Sequence, residues 1–338
     1  MKIIIMAGGK GRRFWPLSNR KVPKQFIKIY SENSMLQETF NRYKSKIPLD
    51  KIFVITTKEY KDLVLEQLPE LSDNNILLEP EQRDTGPCIA LAAMHFLKKN
   101  DNEVLVVTPS DQCIKDNDNL IDKLFEAEKL ALIENKIITL GVVPTRPETG
   151  YGYMQIEALH VNAVANERKV SKFIEKPSLE QAEQLIKNHN TFWNSGIYVW
   201  KPSTIEYNMQ KYQPELWTSL LSNWDQLDKI YPNIKKISVD YAITEKAEEV
   251  FMLPININWD DFGTWNSLER IFEIDENANI LLGDVEAHST EDCTLLSKDT
   301  KLVVIGAKDL IIASTKSGVL ICHKSKEKFL KSIIKEFE

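Results

Sequence analysis

The sequence predicts an α/β protein built on a mostly parallel sheet with flanking helices, followed by a small β module near the C-terminal end. Three observations carry that expectation. The chain opens on KIIIM, a short β-branched run suited to a strand buried on both faces, and passes directly into a glycine loop. Strand-like and helix-like segments then alternate through the first half, the rhythm of βαβ units. Near the end, four short apolar runs recur at a spacing of roughly ten residues, which favours an all-β module.

After KIIIM, SMLQETFNRYKSK has the apolar spacing of an amphipathic helix, KIFVITT reads as a strand, KEYKDLVLEQLPEL as a helix and NILLEP as a strand. GPCIALAAMHFLKKN, EVLVVTPSD, NLIDKLFEAEKLALIEN and IITLGVVP continue the alternation. From Thr149 the strands shorten to YGYMQIEAL, VSKFIEKP and SGIYVWKP, with SLEQAEQLIKN and STIEYNMQKYQPELWTSLLSNW as helical insertions. The run from Asn258 to Phe272 closes this part, and a boundary near Asp275 is expected, giving a domain of 1–274 and a module of 275–338. CTLLS, KLVVIGA, DLIIAST and GVLICHK form that module as stacked hairpins or an irregular β-helix turn, and SKEKFLKSIIKEF ends it as a helix.

Composition narrows the function. A net charge of -6 argues against a general nucleic-acid binder, so Arg12 and Arg13 point to a specific small anion instead. No apolar run approaches the ~18 residues needed to span a membrane, and no basic segment precedes a cleavable apolar one. Cys88, Cys113, Cys293 and Cys322 lack metal or redox spacing, so free thiols in the cytoplasm are expected. His95, His160, His189, His288 and His323 show no ligand spacing either and read as packing or surface residues.

Ligands in open α/β sheets bind outside the carboxyl ends of the strands, so residues that follow strands are the candidates. Gly8, Gly9 and Gly11 allow a tight turn whose N–H groups approach an anion, with Arg12 and Arg13 beside them. The loop fits neither a dinucleotide fingerprint, which needs glycine at Phe14, nor a P-loop. Asp111 and the pair Asp260-Asp261 supply oxygen ligands suited to Mg²⁺, or serve as caps and turn residues. Lys24 and Lys176 stand next to prolines, which aims an ammonium at phosphate or leaves it solvated on an apolar stem. Glu175 offers a carboxylate to sugar hydroxyls. TGYGYM and FWNSGIYVW pair glycines and aromatic rings with the amide of Asn194, a composition that suits a sugar face or an aromatic core with turns.

In order, these segments resemble the sugar-1-phosphate nucleotidyltransferase family, most closely its members that join mannose 1-phosphate to GTP. AGGKGRRFWPLS is similar to the family's G-x-G-x-R-x-x-P-L-S signature, and PKQF, EPEQRDTGPCIALAA, VTPSD, TGYGY, FIEKP, FWNSGIY, SVDYAITEK and WDDFGTW follow in register. The resemblance implies a Rossmann-like nucleotide-diphospho-sugar transferase fold and a small C-terminal β-helix-like module that commonly pairs subunits, hence a homodimer. It implies a triphosphate loop of Gly8, Gly9, Gly11 and Arg12, with Arg13 and Lys24 as catalytic and phosphate-binding residues. Asp111 and Asp261 match metal ligands, Lys176 the sugar-phosphate lysine, Gly150, Glu175 and Asn194 sugar contacts, and Glu79, Asp84 and Thr85 the segment facing the base. The family usually has threonine or a similar small residue at Arg12, histidine at Gln112 and Asn-Thr-Ala-Pro at Asp84-Thr85-Gly86-Pro87, departures that bear on base and sugar preference. The sequence shows no segment resembling the phosphomannose isomerase domain of longer relatives.

The implied chemistry is in-line attack of mannose 1-phosphate on the α-phosphorus of GTP with Mg²⁺, giving GDP-mannose and pyrophosphate in polysaccharide-precursor biosynthesis. Another sugar 1-phosphate or nucleotide, or a non-catalytic homologue that binds nucleotide sugars, are the alternatives. Neither nucleic acid nor membrane is expected as a partner.

Overall fold

In the computed structural model, which describes residues 1–157 and 166–334, KIIIM is a strand, β1 (Lys2–Met6), with its three isoleucines fully buried. Strands β2 (Ile52–Thr57), β3 (Ile76–Glu79) and β4 (Leu105–Pro109) pair with it in the order β3-β2-β1-β4, all parallel. Burial on both faces explains why these strands read as continuous apolar runs rather than alternating ones. The intervening helices are Met35–Lys44, Lys61–Gln67 and Thr85–Leu97. The last is apolar nearly all round and lies in the main core with Trp200, Trp217 and Met209.

The sheet then becomes mixed. Strands β6 (Ile137–Val142), β7 (Gly152–Ile156), β8 (Arg168–Glu175), β9 (Thr191–Trp200) and β10 (Val250–Ile255) complete nine strands among the described residues, in the order β3-β2-β1-β4-β9-β6-β10-β8-β7. Here β9 runs antiparallel between β4 and β6, β10 is parallel to β6, and β8 and β7 are antiparallel additions. A separate two-stranded ribbon pairs β5 (Cys113–Ile114) with β11 (Trp259–Asp260). The insertion STIEYNMQKYQPELWTSLLSNW forms two helices, Pro202–Tyr212 and Pro214–Ser222, because Pro214 lacks an N–H and starts a helix rather than continuing one. Ala158 and Leu159 of YGYMQIEAL, His160, and the part of SKEKFLKSIIKEF beyond Ile334 lie outside the described residues.

By its internal contacts the chain forms two compact units, Met1–Gly8 with Thr39–Asp260, and Gly9–Glu38 with Asp261–Glu338. The second unit draws on both ends of the sequence, where composition marks a boundary only near Asp275. Its sheet runs β12 (Ile280–His288), β13 (Thr294–Ile305), β14 (Leu310–Thr315) and β15 (Gly318–His323) in that order. The first three are parallel and the last closes an antiparallel hairpin. CTLLS and KLVVIGA are two parts of the single strand β13, and the preceding ILLGD begins β12. Cys293, Leu295, Val304 and Ile312 form its small core. The N-terminal loop is held against this module: Thr315 Oγ1 donates to Pro16 O at 3.2 Å, and Asn19 Nδ2 to Ser317 Oγ at 3.1 Å. Among the described residues no helix is long and apolar enough to cross a membrane.

Candidate active site

In the second unit the glycine loop folds back on PKQF. Gly11 has φ of 49°, and a Cβ there would lie 2.2 Å from the backbone nitrogen of Lys24, so both conformation and space demand glycine. Gly9 O accepts from Gln25 Nε2 at 2.8 Å, a second tie between the same two segments. Gly11→Ala is therefore expected to lower the thermal midpoint by several degrees, corresponding to about 1–3 kcal/mol for forced overpacking, as read by thermal denaturation.

Arg12 and Arg13 begin a 3₁₀ turn, Arg12–Phe14, which anchors itself by burying Phe14 and leaves Arg13 exposed. The Phe14 ring stacks on Phe262 at 5.2 Å between centroids. The Lys24 ammonium lies 5.9 Å and 5.7 Å from these two rings and donates to Asp261 O at 3.0 Å. Only 5% of Lys24 is exposed, so its charge is aimed rather than solvated. A methyl at Gly263 would lie 2.8 Å from Asp261 Oδ2 and 3.1 Å from Arg13 Nη1, which brings carboxylate and guanidinium to the same glycine. The Gly263 N–H donates to Asp261 Oδ1 at 3.1 Å and orients that carboxylate. Arg13, Lys24 and Asp261, separated by up to 248 positions in the sequence, thus form one charged cluster.

In the first unit, Glu79 ends β3 and is 2% exposed. Its Oε1 accepts from Tyr231 Oη at 2.8 Å and from the Arg83 N–H at 3.3 Å, while Oε2 would lie 3.3 Å from a Cβ on Gly8. Burial pushes its carboxyl up to about 7 against the opposing pull of those donors. Asp84 caps helix Thr85–Leu97, its carboxylate accepting from the Thr85 N–H at 2.8 Å, and Thr85 Oγ1 accepts from the Val239 N–H at 2.8 Å. Gly86 is required where it stands, because a Cβ would lie 2.7 Å from Ile237 O. Asp111 follows β4 directly after Ser110, whose hydroxyl donates to Met6 O at 2.7 Å and ties the end of β4 to that of β1.

Glu175 ends β8 and forms an ion pair with Lys176, the next residue, which lies at φ of 47°. Burial raises the Glu175 carboxyl, reinforced by Asp240; burial opposes the Lys176 charge, but Glu175 outweighs it and holds the ammonium above its ordinary value. Gly152 faces Glu175 across the strands, and a Cβ there would lie 2.6 Å from Glu175 Oε2. The Gly150 N–H donates to Glu148 Oε1 at 3.2 Å. Asn194 is engaged on every side: its Nδ2 donates to Tyr198 Oη at 2.8 Å and Asp240 Oδ1 at 3.3 Å, and its Oδ1 accepts from Thr139 Oγ1 at 2.9 Å and the Gly196 N–H at 3.3 Å. An amide with two donors and two acceptor positions so filled holds its neighbours in place.

Two groups escape a sequence reading. Arg146 donates to Asp260 Oδ2 at 3.2 Å and Tyr151 Oη at 2.9 Å while its guanidinium lies 4.9 Å from the Trp193 ring centroid. Asp260 is thereby committed to an ion pair next in the chain to Asp261. The signal was an arginine between Pro144 and Pro147 shortly after a strand, the same feature that marks Lys24 and Lys176. Asp240, in a single π turn (Asp240–Thr244), accepts from Tyr198 Oη at 2.6 Å; it offers no signal beyond its place in SVDYA. Among the described residues, no group of three or more His, Cys, Asp or Glu side chains is placed to hold a metal by itself.

A profile of the nucleotidyl transferase family matches residues 2–278. The mannose-1-phosphate guanylyltransferase of Klebsiella pneumoniae is 34% identical over 343 residues, which cover 98% of this chain and 72% of the relative. That of Salmonella montevideo is 36% identical over 99% of this chain and 73% of its own length. Among solved structures, a Thermus thermophilus protein described as a mannose-1-phosphate geranyltransferase matches with a TM-score of 0.89 at 29% identity, over 99% of this chain and 98% of that one. The fold is that of the nucleotide-diphospho-sugar transferases. With a family profile covering most of its length and relatives above 30% identity along nearly all of it, the chain belongs to the nucleotidyl transferase family and is an enzyme.

Proposed function

We propose that the enzyme transfers GMP from GTP to mannose 1-phosphate. The observation that carries this reading is the cluster of Arg13, Lys24 and Asp261 at the glycine loop, in a chain whose relatives are mannose-1-phosphate guanylyltransferases. A phosphate oxygen of the sugar phosphate attacks the α-phosphorus of GTP, the bond to the β-phosphate breaks, and pyrophosphate leaves with the electron pair. No Ser, Cys or His nucleophile is needed, because the acceptor brings its own. Arg13 and Lys24 offset the charge that spreads over the reacting phosphates, and the loop N–H groups orient the triphosphate. Lys176 takes the acceptor phosphate. Gly150, Glu175 and Asn194 shape the sugar subsite, Asn194 by holding Tyr198 and Asp240.

Asp111 and Asp261 are each, by the family resemblance, candidates to ligate Mg²⁺; a carboxylate is a hard oxygen donor, which suits Mg²⁺ with waters and nucleotide phosphates as its other ligands. When bound, the ion would draw charge from the triphosphate. Glu79, with Asp84 and Thr85 beside it, is assigned to the guanine edge, whose adjacent N1–H and N2 donors suit a carboxylate. The parallel stacking of β12, β13 and β14 supports a β-helix-like coil, and the exposed Ile305 and Ile321 on it support pairing of two copies, which light scattering would register as a doubled mass. Four free cysteines fit a cytoplasmic setting.

Pyrophosphate release across a panel of nucleoside triphosphates and sugar 1-phosphates tests the reading, with GTP and mannose 1-phosphate expected to give the highest kcat/KM. A preference for UTP or ATP would overturn it. Lys176→Ala is expected to raise KM for the sugar phosphate roughly tenfold to 150-fold, the loss of one charge-assisted contact, with little change in KM for GTP. An equal rise in both would remove Lys176 from the acceptor side.

A further inference from the structure

We propose that Glu327, on the turn Lys324–Phe329 after β15, is a positioning residue that sets the Asp261–Gly263 loop and Arg13 for nucleotide transfer. The role rests on the reaction proposed above. Glu327 is 8% exposed, and its two carboxylate oxygens are divided between two backbone donors: Oε1 accepts from the Trp265 N–H, and Oε2 from the Asn266 N–H at 3.2 Å. Those residues open the 3₁₀ turn Trp265–Arg270, only two positions past Gly263. The first N–H groups of such a turn have no partner within it, and here a side chain about 60 positions further along supplies one.

The turn is held from both sides. Asn266 Nδ2 donates to Lys324 O at 3.2 Å, and the Lys324 ammonium pairs with Glu269 at 2.7 Å and Asp292 at 2.5 Å. Opposite, the Trp265 indole N–H donates to Trp15 O at 3.3 Å, and its ring centroid lies 5.5 Å from that of Phe14. A buried carboxylate therefore connects the C-terminal module to the very turn that supports the glycine loop. Burial raises the Glu327 carboxyl, opposed chiefly by the Asn266 and Trp265 N–H groups and also by the charge of Arg13. Gly263 is where this matters, since Asp261 Oδ2 and Arg13 Nη1 both approach it within the reach of a single methyl group. A shift of the turn start moves both charged groups together.

The test compares wild type, Glu327→Ala and Glu327→Gln for kcat, both KM values and thermal midpoint. Glutamine keeps one acceptor, but its amide nitrogen meets the Asn266 N–H as a second donor. Glu327→Ala is expected to lose on the order of 10–10²-fold in kcat, as misplacement of reacting groups by about 1 Å does. Glu327→Gln should fall between it and wild type. KM for GTP should rise, and KM for mannose 1-phosphate should stay within twofold. A Glu327→Gln enzyme with wild-type kcat and a lowered thermal midpoint would reduce the residue to a structural cap and overturn the proposal, as would an equal rise in both KM values. If Glu327→Ala does not fold, Glu327→Gln decides alone. If the wild type turns over no sugar phosphate, the proposed reaction fails, and the thermal shift produced by inorganic triphosphate decides for Glu327: a smaller shift in Glu327→Gln supports the positioning role, and an unchanged one overturns it.

Discussion

Replacing Asp261 by asparagine is expected to lower turnover by on the order of 10²–10³-fold with the thermal midpoint nearly unchanged. Asparagine keeps an oxygen that can accept from the Gly263 N–H, now at 3.1 Å, so the turn survives while the charge is lost. The Lys24 ammonium, which bonds the backbone carbonyl of Asp261, keeps its partner as well. Arg13→Ala should fall by a similar factor, mainly in kcat, if Arg13 has the proposed role of offsetting charge that develops as the nucleotidyl group transfers. Asp111→Asn is the matching test on the other carboxylate. Steady-state pyrophosphate release at saturating Mg²⁺ checks all three. An Asp261→Asn enzyme within threefold of wild type would remove that carboxylate from the reaction, leaving it as a turn residue.

The second large effect is on stability and concerns Glu79. Its carboxyl is pushed up to about 7 by burial, against about 4.5 for an exposed glutamate. Between those two values the native state holds a proton that the unfolded chain has released. The group's contribution is therefore fully present below pH 4.5 and is lost as pH rises through about 7. By pH 8 the loss amounts to at most about 3 kcal/mol. Glu79→Gln removes this dependence while its carbonyl oxygen still accepts from Tyr231 Oη and the Arg83 N–H. The variant should be more stable than wild type at pH 8, and the difference should vanish near pH 4, as measured by denaturant unfolding at the two values. The same variant tests base recognition. A narrowed kcat/KM preference for GTP over ATP and UTP supports Glu79 at the guanine edge, and an unchanged ratio leaves it as a support for Gly8, Tyr231 and Arg83.

Much of the architecture is legible in local patterns. The strands around β1 announce themselves because burial on both faces demands apolar, β-branched residues at every position, and the helices because one face must be apolar at a spacing near 3.6 residues. The glycine loop is equally legible: Gly11 has to reach positive φ and let Lys24 approach, and only glycine does both. Residues that follow strands, among them Arg13, Glu79, Asp111 and Lys176, stand out by the same rule, since a polar residue at the end of a buried strand needs a reason.

What the tertiary structure alone decides is partnership. Asn194 looks in FWNSGIY like an amide offered to a ligand, yet all four of its hydrogen-bonding positions are filled by Tyr198, Asp240, Thr139 and Gly196. Asp260 and Asp261 are neighbours of one chemical type, and an arginine 114 positions away distinguishes them by pairing with the first. Glu327 is an ordinary charge in a lysine-rich turn until the fold sets it against the N–H groups of Trp265 and Asn266. A hydrogen bond depends on distances within a few tenths of an ångström, whereas sequence pattern records only which face of an element is apolar. Strands, turns and exposed charge follow from the local chain, but which buried polar groups satisfy one another is settled only when segments far apart in sequence are packed together.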